Sequence, residues 1–107
     1  MLVVTTENIS GYQITEVKGQ VFGLVVRSRG LGSTILAGLK SLIGGEIRQY
    51  TALLEDSRKQ AIDRLVANAT AMGANAIVMM RFDSSEIGQN MTEILAYGTA
   101  VLIQAGN

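Results

Sequence analysis

The sequence contains no cysteine, no histidine, no proline and no tryptophan, and only two phenylalanines. Without Cys and His there is neither a thiolate nor an imidazole. That excludes zinc fingers, iron–sulfur centres, Cys- or His-dependent nucleophilic triads and disulfide scaffolds. Aromatic rings make up only 5% of the chain, which argues against a saccharide- or nucleobase-stacking platform. Charge of one sign is also missing, because nine Lys and Arg balance nine Asp and Glu. A dedicated nucleic-acid binder normally carries a basic excess to neutralise phosphates, so no nucleic-acid partner is expected. No apolar run reaches the ~18–20 residues that span a bilayer. Residues 1–7 show no basic segment leading into an apolar one, so no export signal is visible. The expectation is a cytoplasmic, prokaryotic protein with no membrane partner.

What the sequence does have is apolar surface. Its 107 residues are 48% hydrophobic and 17% charged, against roughly 25% charged in an average soluble domain. This length gives one domain over residues 1–107, burying roughly two-thirds of its unfolded surface. A small chain so poor in charge tends to leave apolar surface for a partner.

Along the chain, residues 2–6 form a short β-prone run that ends in a turn at Asn8 to Gly11. Residues 12–26 are β-rich. Val17, Val21 and Leu24 to Val26 call for burial, and Gly19 and Gly23 mark bulges or backbones passing close by. Residues 27–33 are a basic, glycine-punctuated loop. Ser33 or Thr34 then caps a short helix with Ile35, Leu36, Leu39, Leu42 and Ile43 on one face, ended by Gly44 and Gly45. Glu46 opens a long helix to about Met72. Ile47, Tyr50, Leu54, Ala61, Leu65, Ala69 and Met72 share its apolar face, and Gly73 is its left-handed C-terminal residue. Residues 75–83 follow as a strand covered on both faces over Ile77 to Met80. Residues 84–90 read as a polar loop, and 91–104 as a last long strand that Gly98 breaks in the middle, as a second close-approach point.

This layout predicts an α+β two-layer sandwich, with an antiparallel sheet of three or more strands packed against one long and one short helix. The helices cover one sheet face, yet the last two strands are apolar toward both. Neighbouring subunits of a closed homo-oligomer would shelter the second face. The alternative is a monomer whose N-terminal strands fold over it.

Thr5-Thr6, Gly11-Tyr12, Gly44-Gly45-Glu46, the run Gly73 to Ala76, Arg81-Phe82-Asp83 and the run Ala96 to Val101 occur in an order and spacing that resemble the YbjQ-like family, described as heavy-metal-binding domains. The resemblance covers essentially the whole chain. It implies a dodecin-like subunit, a helix packed on an antiparallel sheet, assembled as a homopentamer. It also implies a metal ion as a possible cofactor. The chain offers no Cys-x-x-Cys and no His for a soft metal. What remains is five Met, of which Met72, Met79 and Met80 read as core, and the carboxylates.

Several residues are candidates for ligand binding. Gly44, Gly45 and Glu46 form either a helix cap or an anion pocket on free helix amides. Arg27 and Arg29 belong to a stretch, residues 27–48, with net charge +3; they are solvated surface charges or assist a phosphate cradle. Arg81 and Asp83 flank Phe82 on one strand face, as an ion pair or as part of a binding site. Asp83 and Glu93, on adjacent strands, are the candidate oxygen ligands for a hard cation. Asn75 either satisfies the backbone at a helix-to-strand corner or joins the site. Tyr97 fills the space beside Gly98 or lines an interface pocket. No catalytic constellation is recognisable, so no enzyme is expected. The leading reading is an oligomer binding a metal or small ligand at subunit interfaces; the alternative is a non-catalytic interaction module forming a ring. Charging the second sheet face, as in Val101→Asp, is expected to break the ring or prevent soluble expression.

Overall fold

The computed structural model describes residues 1–28, 48–88 and 91–106. The short helix expected over residues 33–43 lies outside these, as do Arg29, Gly44, Gly45 and Glu46. Four strands and one helix are described: β1 (Leu2–Val3), β2 (Tyr12–Ser28), α1 (Arg48–Ala71), β3 (Ala76–Glu86) and β4 (Met91–Ala105). The strands form one sheet in the order β1-β3-β4-β2, with α1 on one face. This is the two-layer α+β sandwich. The three long strands are antiparallel, as expected, but β1 pairs parallel to β3, which makes the sheet mixed. A two-residue strand entering beside β3 has no hairpin to reverse it, so its direction is not constrained to alternate.

Helix α1 stops where its sequence says it should. The Gly73 N–H bonds the Thr70 carbonyl and the Ala74 N–H bonds the Ala69 carbonyl. Gly73 has φ of 84°. This is a Schellman ending, and it requires a residue free to turn left-handed. The helix seam that meets the sheet is Ser57, Ala61, Leu65 and Ala69, all essentially inaccessible. Leu54, expected on this seam, is exposed, and Ser57 takes its face instead. Ser57 tolerates burial because its hydroxyl donates to the Leu53 carbonyl at 2.9 Å.

The seam can be so small because the helix backbone rests directly on β2. A methyl group at Gly23 would fall 2.1 Å from the Ala61 carbonyl oxygen and 2.5 Å from the Leu65 nitrogen. Val21 and Val25 flank that contact and are buried, each contributing about 1.5–3 kcal/mol of apolar burial. Gly98 does the same for the sheet itself. A Cβ there would meet the Ile77 side chain at 2.9 Å and the Val78 carbonyl at 3.0 Å. Opposite Gly98, β3 carries a bulge between Val78 and Arg81. Both glycines therefore mark close approach, and Gly98 does not interrupt β4.

Coverage of the sheet is staggered. On the helix side, Val21, Val25, Ile77, Ile94, Ala96 and Ala100 pack against Ala61, Leu65 and Ala69. On the other side a separate cluster forms around Ala76, Val78 and Val101, covered by Val4 and Ile9 of the N-terminal segment. Val101 is thus buried inside its own subunit. It is not on an assembly surface, so the Val101→Asp expectation moves from ring to subunit. The other half of this second face has no cover among the described residues. Phe22, Leu24 and Val26 alternate with the buried valines of β2 and are 42–49% exposed; Tyr97 of β4 is exposed beside them.

Strand β3 continues to Glu86 through residues expected as loop, because Ser84 and Ser85 pair with Ile94 and Glu93 of β4. Met79 is 42% exposed and not core, because the bulge turns it to the second face.

Gly23→Ala is expected to lower stability by roughly 1–3 kcal/mol or more, since backbone and not a flexible side chain must yield; urea unfolding followed by circular dichroism measures it. Val101→Asp is expected to give an unfolded or insoluble subunit, since its carboxylate would be buried without a partner; the soluble fraction on expression reads this.

Candidate functional site

The uncovered half of the second face is arranged in cross-strand rows. Arg81, Tyr97 and Phe22 form one row, Asp83, Leu95 and Leu24 the next, and Ser85, Glu93 and Val26 the third. Apolar residues therefore run along β2 and β4, and polar ones along β3. The Phe22 and Leu24 carbonyls accept hydrogen bonds from Asn68 and Arg64 of α1. Those carbonyls have the parity that points away from β4, so Phe22 and Tyr97 face each other as a non-hydrogen-bonded pair. In such pairs side chains stand closest.

A cleft of about 440 Å³ opens in the first row, between Phe22 on β2 and Met79 and Arg81 on β3, with Tyr97 and Gly98 of β4 as its floor. Gln20 and Thr99, partners across β2 and β4, complete one end. Arg81 does not pair with Asp83 as the sequence suggested. Its Nη1 donates to the Thr5 and Met80 carbonyls, both at 2.8 Å. Asp83 instead accepts the N–H of Ser84 at 2.9 Å. The bulge explains the difference: Met79 has φ of 57°, and its N–H reaches the Thr6 carbonyl while the Met80 N–H reaches that of Val4. The N-terminal segment is thus laced to the bulge, and Arg81 is drawn onto it.

The other candidates fall in different places. Tyr97 lines the cleft and does not fill the space beside Gly98, which faces the opposite side. Asn75 is a positioning group for the sheet: its Nδ2 donates to the Ile103 carbonyl at 3.0 Å and its Oδ1 accepts the Ile103 N–H at 2.8 Å. The side chain thereby acts as one more rung of the β3–β4 ladder. Arg27 bonds Asp56 of α1 at 2.8 Å, a charge-neutralising contact on the helix side of the sheet. Arg29, Gly44, Gly45 and Glu46 lie outside the described residues. Asp83 and Glu93 share the second face as diagonal neighbours across β3 and β4, and Glu93 accepts the Ser85 hydroxyl at 3.0 Å.

Sequence reasoning missed Phe22 and Met79. Phe22 was readable from alternation, since Val21, Gly23 and Val25 bury one face and leave even-numbered residues on the other. Met79 was not, because nothing in an unbroken apolar run announces a bulge.

Metal chemistry can be weighed on the donors themselves. The chain has no Cys and no His, and among the described residues no three acidic side chains gather. Of its thioethers, Met72 and Met80 pack toward the helix-side core while Met79 lines the cleft on the other face and does not join them. These residues do not fit a soft heavy-metal ion.

A family model with the description "Putative heavy-metal-binding" matches residues 1–104. The chain is 64% identical to a UPF0145 protein of Bradyrhizobium sp. (strain ORS 278), over 97% of this chain and 94% of that one. It is 59% identical to a UPF0145 protein of Acidothermus cellulolyticus, over 100% and 99% of the two chains. It is 53% identical to one of Sulfurisphaera tokodaii, over 96% and 90%. A crystal structure of a protein of unknown function from Pediococcus pentosaceus superposes with a TM-score of 0.64, covering 97% of this chain and 98% of that one at 18% identity. That likeness concerns the fold.

A micromolar metal site loaded at 100 times its dissociation constant would stabilise the folded chain by about 2.7 kcal/mol. Zn²⁺, Cd²⁺ and Cu⁺ are expected to give no saturable rise of that size in melting temperature. A saturable rise with retained stoichiometric metal would show that these donors do hold such an ion.

Proposed function

The chain belongs to the YbjQ-like UPF0145 family, and we propose that it works as a homo-oligomeric binding protein that holds a small ligand where its subunits meet. One observation carries this reading: the half of the second sheet face that no described residue covers holds the exposed apolar strip and the cleft together. Phe22, Leu24 and Val26 stand beside Tyr97 on the same sheet face, and such an apolar strip is costly as a permanent exterior. A second copy of the chain, seated on the strip, removes it from water and closes the cleft at the same time. A homopentamer, implied by the family resemblance, is the assembly proposed.

Dimensions support it. The described residues have a radius of gyration of 17.3 Å, against about 13 Å for a compact domain of 100 residues. The described residues, taken alone, shelter less of their own surface than a compact domain of similar size. The cleft favours ligand binding over a purely scaffolding ring, because a scaffold needs no arginine held open on an apolar face. A resident metal is not needed by this reading, and the carboxylates Asp83 and Glu93 stay outside the cleft lining.

Leu24→Asp tests the placement of the contact. The residue is exposed and makes no helix-side packing, so the subunit is expected to keep its circular dichroism spectrum. Native mass spectrometry is expected to show the assembly reduced to single subunits, since a charge buried in the contact lacks a partner. An unchanged assembly carrying Leu24→Asp would overturn the placement.

A further inference from the structure

We propose that the cleft beside Phe22 and Tyr97 binds a planar aromatic carboxylate, its ring against the two aromatic side chains and its acid group on Arg81. The site deepens the reading above and rests on it in one respect: a neighbouring subunit supplies the roof. Walls, floor and charge come from this chain.

The chemistry of the lining selects the ligand. The chain has five Phe and Tyr residues in all, and two of them stand opposite each other at this cleft. An aromatic-poor sequence that presents a Phe–Tyr pair on an exposed face offers stacking surface to a planar ring, through offset or edge contacts. Met79 adds a polarisable thioether on the same face. Its left-handed backbone is uncommon for a residue with a side chain. The Thr6 carbonyl holds it there through the Met79 N–H at 3.0 Å.

Arg81 supplies the opposite chemistry. Nη1 is fixed by the Thr5 and Met80 carbonyls, which orients the guanidinium without neutralising it. The remaining guanidinium N–H groups have no acceptor among the described residues, and no carboxylate lines the cleft. A carboxylate meets a guanidinium through two parallel hydrogen bonds, a geometry an oriented arginine is already set to offer. Under a roof that excludes water, that pair strengthens. Gln20 and Thr99 leave hydrogen-bonding groups at one end for a ring substituent. A free inorganic anion would have no use for the apolar walls, and an uncharged ring would leave Arg81 unpaired. The cleft volume, about 440 Å³, is in the range of small-molecule sites, roughly 300–1,000 Å³.

Isothermal titration of the full chain with 2-naphthoate, and with its neutral counterpart 2-naphthamide, tests this. Light scattering on the same samples reports assembly. The expected result is one 2-naphthoate per subunit, with the amide weaker by about 10-fold or more. Arg81→Gln is expected to abolish the preference for the charged probe. Arg81→Lys is expected to keep part of it, and Phe22→Ala to weaken both probes. Equal affinity for the two probes, or a preference that survives Arg81→Gln, overturns the proposal. Should Arg81→Gln fail to fold, NMR of the wild-type chain decides. Shifts centred on Phe22, Met79 and Tyr97 support the site, and shifts elsewhere overturn it. An assembled protein that binds neither probe overturns the ligand and leaves the association standing. A single-copy protein with an Arg81-dependent preference keeps the cleft and overturns the association.

Discussion

Length mismatch between sheet and helix is the constraint from which the rest follows. A strand of 17 residues extends about 56 Å at roughly 3.3 Å per residue, and the long axis of the molecule is 55 Å. A 24-residue helix spans about 36 Å and lies on one face only. The N-terminal segment covers part of the other face, at the end where Val101 sits. No other described element is available for the remainder. Among the described residues, the bare strip of Phe22, Leu24, Val26 and Tyr97 is therefore a consequence of how much sheet there is for the one described helix.

Close packing on the covered side sharpens the contrast. Gly23 lets the backbone of α1 sit on β2, so the helix seam needs only Ser57, Ala61, Leu65 and Ala69. Arg64 and Asn68 then reach over to carbonyls of the outermost strand. That occupies part of the hydrogen-bonding edge a further strand would otherwise use. Among the described residues the edge is partly closed while half of the face stays open, which is why the proposed contact is placed on the face.

Much of the architecture was legible in the sequence, and for physical reasons. Three-and-four spacing through Ala61, Leu65 and Ala69, followed by Gly73, specified the long helix and its end. Gly23 could be read as a bulge or as a backbone passing close by, and the structure selects the close approach; Gly98, read as a second close-approach point, is one but does not break its strand. The direction of β1 was not legible, because a two-residue strand carries no periodicity. Extension of β3 through Ser84 and Ser85 was hidden for a related reason: polar residues on an exposed rim look the same in a strand and in a loop. Placing the unsheltered surface at Val101 failed because apolarity toward both faces does not say which face the chain's own N-terminus will cover. For the site, Arg81 and Tyr97 were named, but their neighbours depend on the Met79 bulge. A bulge is set by what pairs with it, here Val4 and Thr6, and local sequence does not announce it.

Membership of the YbjQ-like family brings a heavy-metal description to a chain with no thiolate or imidazole to honour it. Phe22, Tyr97, Gln20 and Thr99 stand instead around Arg81, a lining whose chemistry suits an organic acid better than a soft cation. The roof of the cleft and the shelter of the strip both require subunits to meet on that face. Sedimentation velocity of the unmodified chain at micromolar concentration is the most direct measurement. A folded species several times heavier than the 11.4 kDa chain is predicted, and a well-folded single copy of that mass would contradict it.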